Sequence, residues 1–118
     1  MDQIERQHLL YEQLEKRILV IDGAMGTMLQ ERHLTAEDFG GAALEGCNEN
    51  LVLTRPDVIE DVHRAYFEAG ADIVETNTFG STPLVLAEYA LEARHHDINV
   101  EAAHIARRAA DAFASGLA

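Results

Sequence analysis

Ile18-Leu19-Val20-Ile21-Asp22-Gly23-Ala24-Met25-Gly26-Thr27 decides how the rest of the chain reads, together with its echo Ala71-Asp72-Ile73-Val74-Glu75-Thr76-Asn77-Thr78-Phe79. Each stretch contains a short apolar run rich in β-branched side chains and ends on a carboxylate followed by small and polar residues. Continuous runs of this kind suit strands buried on both faces of a parallel sheet. A helix patterned with apolar residues lies between them. Strand, helix and parallel strand set both polar ends on one edge of one sheet, the edge at which α/β proteins bind ligands. Neighbouring strands lie about 4.8 Å apart, so Asp22 and Glu75 or Asn77 are expected to converge on one small volume.

Helix signals flank these runs. Asp2 with Glu5 three residues on forms a capping box, and residues 3–17 follow with Ile4, Leu10, Tyr11 and Leu14 as their apolar members. A short helical turn is expected at 28–32. Residues 33–53 have no period and are broken by Gly40-Gly41, Gly46 and Asn48-Glu49-Asn50. So long a loop is usually functional, and it is expected to fold over the edge that carries the site. Thr54 and Pro56 open the next helix, with Val58, Ile59, Val62, Ala65, Tyr66 and Ala69 as its stripe and Gly70 as its left-handed stop. Ser81-Thr82-Pro83 starts another helical stretch to about Ala93. A final helix over 99–114 has a buried face expected at Ala103, Ala106 and Ala110, with Val100 and Phe113 at its ends.

That order gives an α/β chain with only two parallel strands. Two strands leave long apolar edges unpaired. The expectation is therefore the opening βα units of a (β/α)8 barrel, incomplete, with residues 1–118 as one N-terminal fragment of such a domain.

With 9 Lys and Arg against 21 Asp and Glu, the formal net charge is -12. No basic patch offsets it, which argues against nucleic acid and anionic membranes as partners. One cysteine excludes an intrachain disulfide. The absence of a signal-like segment and of an apolar run near 20 residues makes the cytoplasm the expected compartment.

Two glycines three apart in 22–27 let backbone N–H groups approach a ligand closely, although the segment is not a dinucleotide fingerprint. A tight turn with Asp22 as a cap is the bland alternative. Glu75 to Phe79 is more suggestive. A carboxylate at a strand end can bind an ammonium group, orient a neighbour or act as a general base. Cys47 has no second cysteine or histidine at ligand spacing and reads as a small buried hydrophobe. His95-His96-Asp97 reads as a solvated turn, and His63 and His104 as partly exposed helix positions. No metal ligand and no catalytic residue is assigned within the chain.

Three motifs in order, I-D-G-A-M-G-T at 21–27, C-N-E-N-L-V-L-T-R-P at 47–56 and F-E-A-G-A-D-I-V-E-T-N-T-F at 67–79, make nearly the whole chain resemble the homocysteine S-methyltransferase family. Within it, the likeness is to the cobalamin-dependent methionine synthase branch. The resemblance implies a homocysteine-binding (β/α)8 barrel in which zinc stabilises the substrate thiolate. The methyl donor it implies is methylcobalamin, carried on a module of the same full-length chain and recharged from 5-methyltetrahydrofolate. By resemblance, Asp22 and Gly23, with Ala24 and Met25, meet the amino-acid end of homocysteine, and Glu75, Thr76, Asn77 and Phe79 form a second wall. The three zinc-binding cysteines of the family would lie beyond residue 118, and Cys47 matches none of them. Gly80 stands where the betaine-using branch has a tyrosine, which weakens that choice of donor. The alternative expectation is a catalytically inactive fragment, or an association module that needs the rest of the barrel. A different barrel enzyme using Asp22 and Glu75 for acid–base work would rest on fold analogy alone.

Overall fold

The computed structural model describes residues 1–116. Seven α-helices and four 3-10 turns make up the regular structure of those residues. Helix α1 spans Gln3–Lys16, and its N-terminus carries the expected box: Asp2 accepts from the Glu5 N–H at 2.8 Å, while Glu5 accepts from the Asp2 N–H at 2.7 Å. Its apolar members find no cover, and no residue of α1 is buried. The helix is tied at its end, where the Arg17 guanidinium donates both prongs to Asp72 at 3.0 and 2.8 Å.

The expected parallel strands do not form. Among the described residues there is no sheet; one isolated parallel bridge joins Ile21 and Ile73. The α/β class and the opening of a (β/α)8 barrel are therefore corrected to a helical chain. The physical reason is visible at the bridge. The Asp22 N–H donates to the Ile73 carbonyl at 2.9 Å, and the Val20 carbonyl accepts from Asp72 and Ile73 at 2.8 and 3.2 Å. Among the described residues no further backbone-to-backbone bond joins the two runs. A pair of strands needs a third neighbour or a packed face to be stable. Here Ile18 is 90% exposed, and Val20 and Ile21 are more than half exposed, so β-branching gains no burial to act on.

The core lies between helices instead. Helix α5 (Pro56–Glu68) packs on α7 (His95–Ala114) and on α4 (Leu51–Thr54), with α2 (Met25–Gln30) against its side. Pro56 sits in the first turn of α5, where its missing N–H costs nothing, and Gly70 follows the helix at φ +110°. The buried face of α5 is Val58, Ile59, Val62, His63 and Phe67. His63, expected at a partly exposed position, is wholly buried.

Helix α7 starts four residues before its expected N-terminus and takes up 95–97 as an exposed first turn. Its buried face is Ile98, Ala102, Ile105 and Ala109, not Ala103, Ala106 and Ala110. An alanine-rich helix offers two candidate stripes one residue apart, and the isoleucines, burying more apolar area, win the contact. Phe113 stays half-exposed but stacks on Phe67, with ring centroids 5.4 Å apart.

The loop expected over 33–53 holds short helical pieces. Helix α3 (Ala36–Phe39) is opened by a Thr35–Asp38 capping box and closed by Gly40 at φ +108°. Phe39, Cys47, Leu51 and Val52 from this region are buried in the core. After the bridge, α6 (Pro83–Leu86) starts at Thr82, whose hydroxyl accepts from the Val85 N–H at 3.2 Å.

Candidate functional site

The turn after Ile21 and the turn after Val74 face each other without a ladder between them. Side chain to backbone bonds hold them. The Asp22 carboxylate accepts from the Glu75 N–H with both oxygens at 3.2 Å. One residue before the bridge, Asp72 accepts from the Val20 N–H at 2.9 Å while pairing with Arg17. From the other side, the Asn77 amide donates to the Asn48 carbonyl at 2.9 Å, and Asn77 is buried. That bond brings the 3-10 turn at Asn48–Asn50 up to the site.

These three segments border an open cleft of about 340 Å³, lined from 22–26, from Asn48 and Glu49, and from 75–79. All eight residues marked in the sequence lie on it: Asp22, Gly23, Ala24 and Met25 on one wall, Glu75, Thr76, Asn77 and Phe79 on the other. Phe79 stands fully exposed at the rim. The Thr76 and Thr78 hydroxyls bond each other at 2.7 Å, so one of the two retains a proton to donate outward.

Gly26, Thr78, Asn48 and Glu49 line the cleft as well, of which only Asn48 and Glu49 fall outside the two stretches that the sequence marks as ligand-facing. Gly26 and Thr78 lie inside the quoted motifs. Asn48 and Glu49 break the apolar pattern between Cys47 and Leu51, in the loop expected to cover the site, and that break was the available signal. Glu49 owes its position partly to Gly80: a Cβ there would stand 3.0 Å from Glu49 Oε1 and 3.2 Å from Val85 Cγ1.

The electrostatics are those of an acidic cleft. Burial pushes the Asp22 carboxyl above its ordinary value; the Glu75 N–H opposes this, and the Glu75 charge adds to it. Three carboxylates, from Asp22, Glu49 and Glu75, line a concave space of one amino acid's scale, at the small end for ligand pockets. Such a lining attracts an ammonium group and repels a free carboxylate.

Cys47 is 1% exposed, and burial pushes its thiol up, so it stays protonated and unreactive at neutral pH. Among the described residues no three His, Cys, Asp or Glu side chains are grouped to hold a metal ion. No helix of the described residues is long and apolar enough to cross a membrane.

A family model described as Homocysteine S-methyltransferase matches residues 19–117. The methionine synthase of Mycobacterium leprae (strain TN) is 55% identical over 102 residues, which is 86% of this chain and 8% of that protein. The methionine synthase of Mycobacterium tuberculosis (strain ATCC 25618 / H37Rv) is 54% identical over 106 residues, 90% of this chain and 9% of that protein. The chain thus spans less than a tenth of the length of these curated relatives.

Proposed function

The chain belongs to the homocysteine S-methyltransferase family, and from that premise we propose that it forms the amino-acid end of a homocysteine pocket in a protein that makes methionine. The carrying observation is the cleft that gathers residues 22–25 and the 75–79 turn onto facing walls. In this reading Asp22 and Glu75 receive the substrate ammonium. Each carboxylate about 4 Å from that group contributes about 4 kcal/mol of attraction at an effective dielectric near 20, before desolvation is counted. The substrate carboxylate turns away from the acids toward the free hydroxyl proton of the Thr76–Thr78 pair. Held at its amino-acid end, homocysteine directs its thiol out of the acidic wall. This chain's part is thus to bind and orient.

The methyl donor in this proposal is methylcobalamin, recharged from 5-methyltetrahydrofolate and borne by a module of the same longer polypeptide. Support for the donor is the motif resemblance and the relatives' name, methionine synthase. The cleft, of about 340 Å³, is on the scale of an amino acid. The family's zinc, which as a Lewis acid would stabilise the thiolate, finds no fitting donor set among the described residues. The one cysteine is buried in the core, away from the cleft lining. No step through either group is therefore derived from these side chains.

A second reading is an association module, inactive until it docks on the remainder of a longer protein. The exposed apolar residues Ile18, Val20, Ile21 and those of α1 favour it.

The test is methionine formation by the protein expressed from its complete gene, with Asp22→Asn and Glu75→Gln. Each variant is expected to raise KM for homocysteine by about tenfold or more, the loss of one charge-assisted contact. Wild-type KM in both would overturn the pocket assignment.

A further inference from the structure

Tyr66 lies on α5, in the helical body, yet its hydroxyl ends at the site. The ring is half-buried against the core cluster. Its O–H donates to the Ala24 carbonyl at 2.6 Å, across 42 residues of chain. The ring edge also rests on the neighbouring residue: a Cβ on Gly23 would stand 3.3 Å from Tyr66 Oη and 3.6 Å from Cε1. The turn it touches has few other fastenings. Helix α2 begins there without a side-chain cap. Asp22 itself is held by one backbone bond to Ile73 and by its carboxylate on the Glu75 N–H.

We infer that Tyr66 is a positioning residue for the amino-acid pocket, fixing the Ala24 carbonyl and with it the Asp22 carboxylate opposite Glu75. This rests on the pocket reading above. The physical case is stiffness. A tyrosine has only two side-chain torsions, and here its ring is already held by core packing, so little freedom is lost in making the bond. Glycine at position 23 is what lets the ring come so close. The hydroxyl thus carries the rigidity of the α5–α7 body into a turn that no sheet supports.

Tyr66→Phe removes the hydroxyl and leaves the ring and its packing in place. In the protein expressed from its complete gene, the expected result is a rise of about fivefold in KM for homocysteine, the worth of one neutral hydrogen bond. kcat should change less than about twofold, because the bound substrate still reaches the same transition state. Amide exchange at Glu75, whose N–H is held by Asp22, should quicken in the free protein. A merely structural role would reduce the amount of active protein, and hence apparent kcat, without moving KM. Wild-type KM or unchanged Glu75 exchange in Tyr66→Phe, while Asp22→Asn raises KM, would overturn the inference and leave the pocket reading standing. Wild-type KM in Asp22→Asn and Glu75→Gln would instead overturn the pocket reading itself.

Discussion

His63 is wholly buried on α5, and neither ring nitrogen has a hydrogen-bond partner among the described residues. Burial lowers the pKa of the ring below its ordinary 6.5, because the charged form cannot be solvated there. The folded protein therefore holds His63 neutral where the unfolded chain would protonate it. Below the unfolded pKa the unfolded state binds more protons, so stability falls as pH drops from about 6.5 toward the folded pKa. The slope contributed by one such group reaches about 1.4 kcal/mol per pH unit. His63→Leu keeps a side chain of similar bulk on the buried stripe of α5 and removes both unsatisfied nitrogens. At pH 7 it should stabilise the fold by about 1–3 kcal/mol, the penalty of a buried polar group left unpaired. The assay is urea unfolding of both proteins at half-unit steps between pH 5 and 7. Wild type should lose stability toward pH 5 faster than His63→Leu, so the gap widens as pH falls. The difference between the two curves cancels the contributions of Asp22 and of the other carboxylates. Parallel curves, or a variant less stable at every pH, would refute the reasoning.

Two further substitutions test the packing around the site and the core. Gly80→Ala places its Cβ against Glu49 Oε1 and Val85 Cγ1. The Glu49 carboxylate ends a flexible side chain and can swing away, so stability should change by less than about 1 kcal/mol. On the proposed pocket reading, KM for homocysteine in the protein expressed from its complete gene should rise about two- to threefold as that carboxylate leaves the wall; an unchanged KM would remove Glu49 from the proposed binding surface. On α7, Ala102 is 0% exposed and Ala103 faces solvent. Ala102→Leu should therefore cost about 1–3 kcal/mol by overpacking, while Ala103→Leu stays within about 0.5 kcal/mol. Thermal melts of the pair read this directly, and the reverse order would restore the stripe expected from the sequence.

What could be read from the sequence divides along a physical line. Signals that act within one turn of chain were legible: the Asp2–Glu5 box, Pro56 in the first turn of α5, Gly70 at its end, and Thr82 capping α6. Each is a local hydrogen bond or torsion that nearby residues decide. Signals that depend on a partner elsewhere were not. The apolar run at 18–21 has strand composition, but a strand is stabilised by its neighbours, and a single bridge is all that Ile21 and Ile73 make. The stripe on α7 was one residue out because alanine's small area leaves the choice to the isoleucines at 98 and 105. His63 differs from expectation for a related reason: its polarity argues for the surface, while its position one residue beyond Val62 puts it on the buried face of α5.

The eight candidate pocket residues do come together, though not by the route expected. In the sequence, Asp22 is expected to meet Glu75 through the spacing of two paired strands. The structure joins them through the Asp22 carboxylate itself, bonded to the Glu75 N–H across 53 residues. Asp22 therefore has two roles in conflict, since an oxygen engaged on a backbone donor is partly withdrawn from a substrate ammonium. The conflict is separable because Asn retains one carboxyl-like oxygen. Asp22→Asn keeps an acceptor for the Glu75 N–H and removes the charge, whereas Asp22→Ala removes both. If Asp22 binds substrate by charge, Asn and Ala should raise KM alike, and only Ala should quicken amide exchange at Glu75. If its role is to fasten the two turns, Asn should keep both KM and exchange at wild-type values while Ala moves both. The two substitutions at one position thus decide whether the carboxylate at the end of the first apolar run is a ligand, a clasp, or the first by virtue of the second.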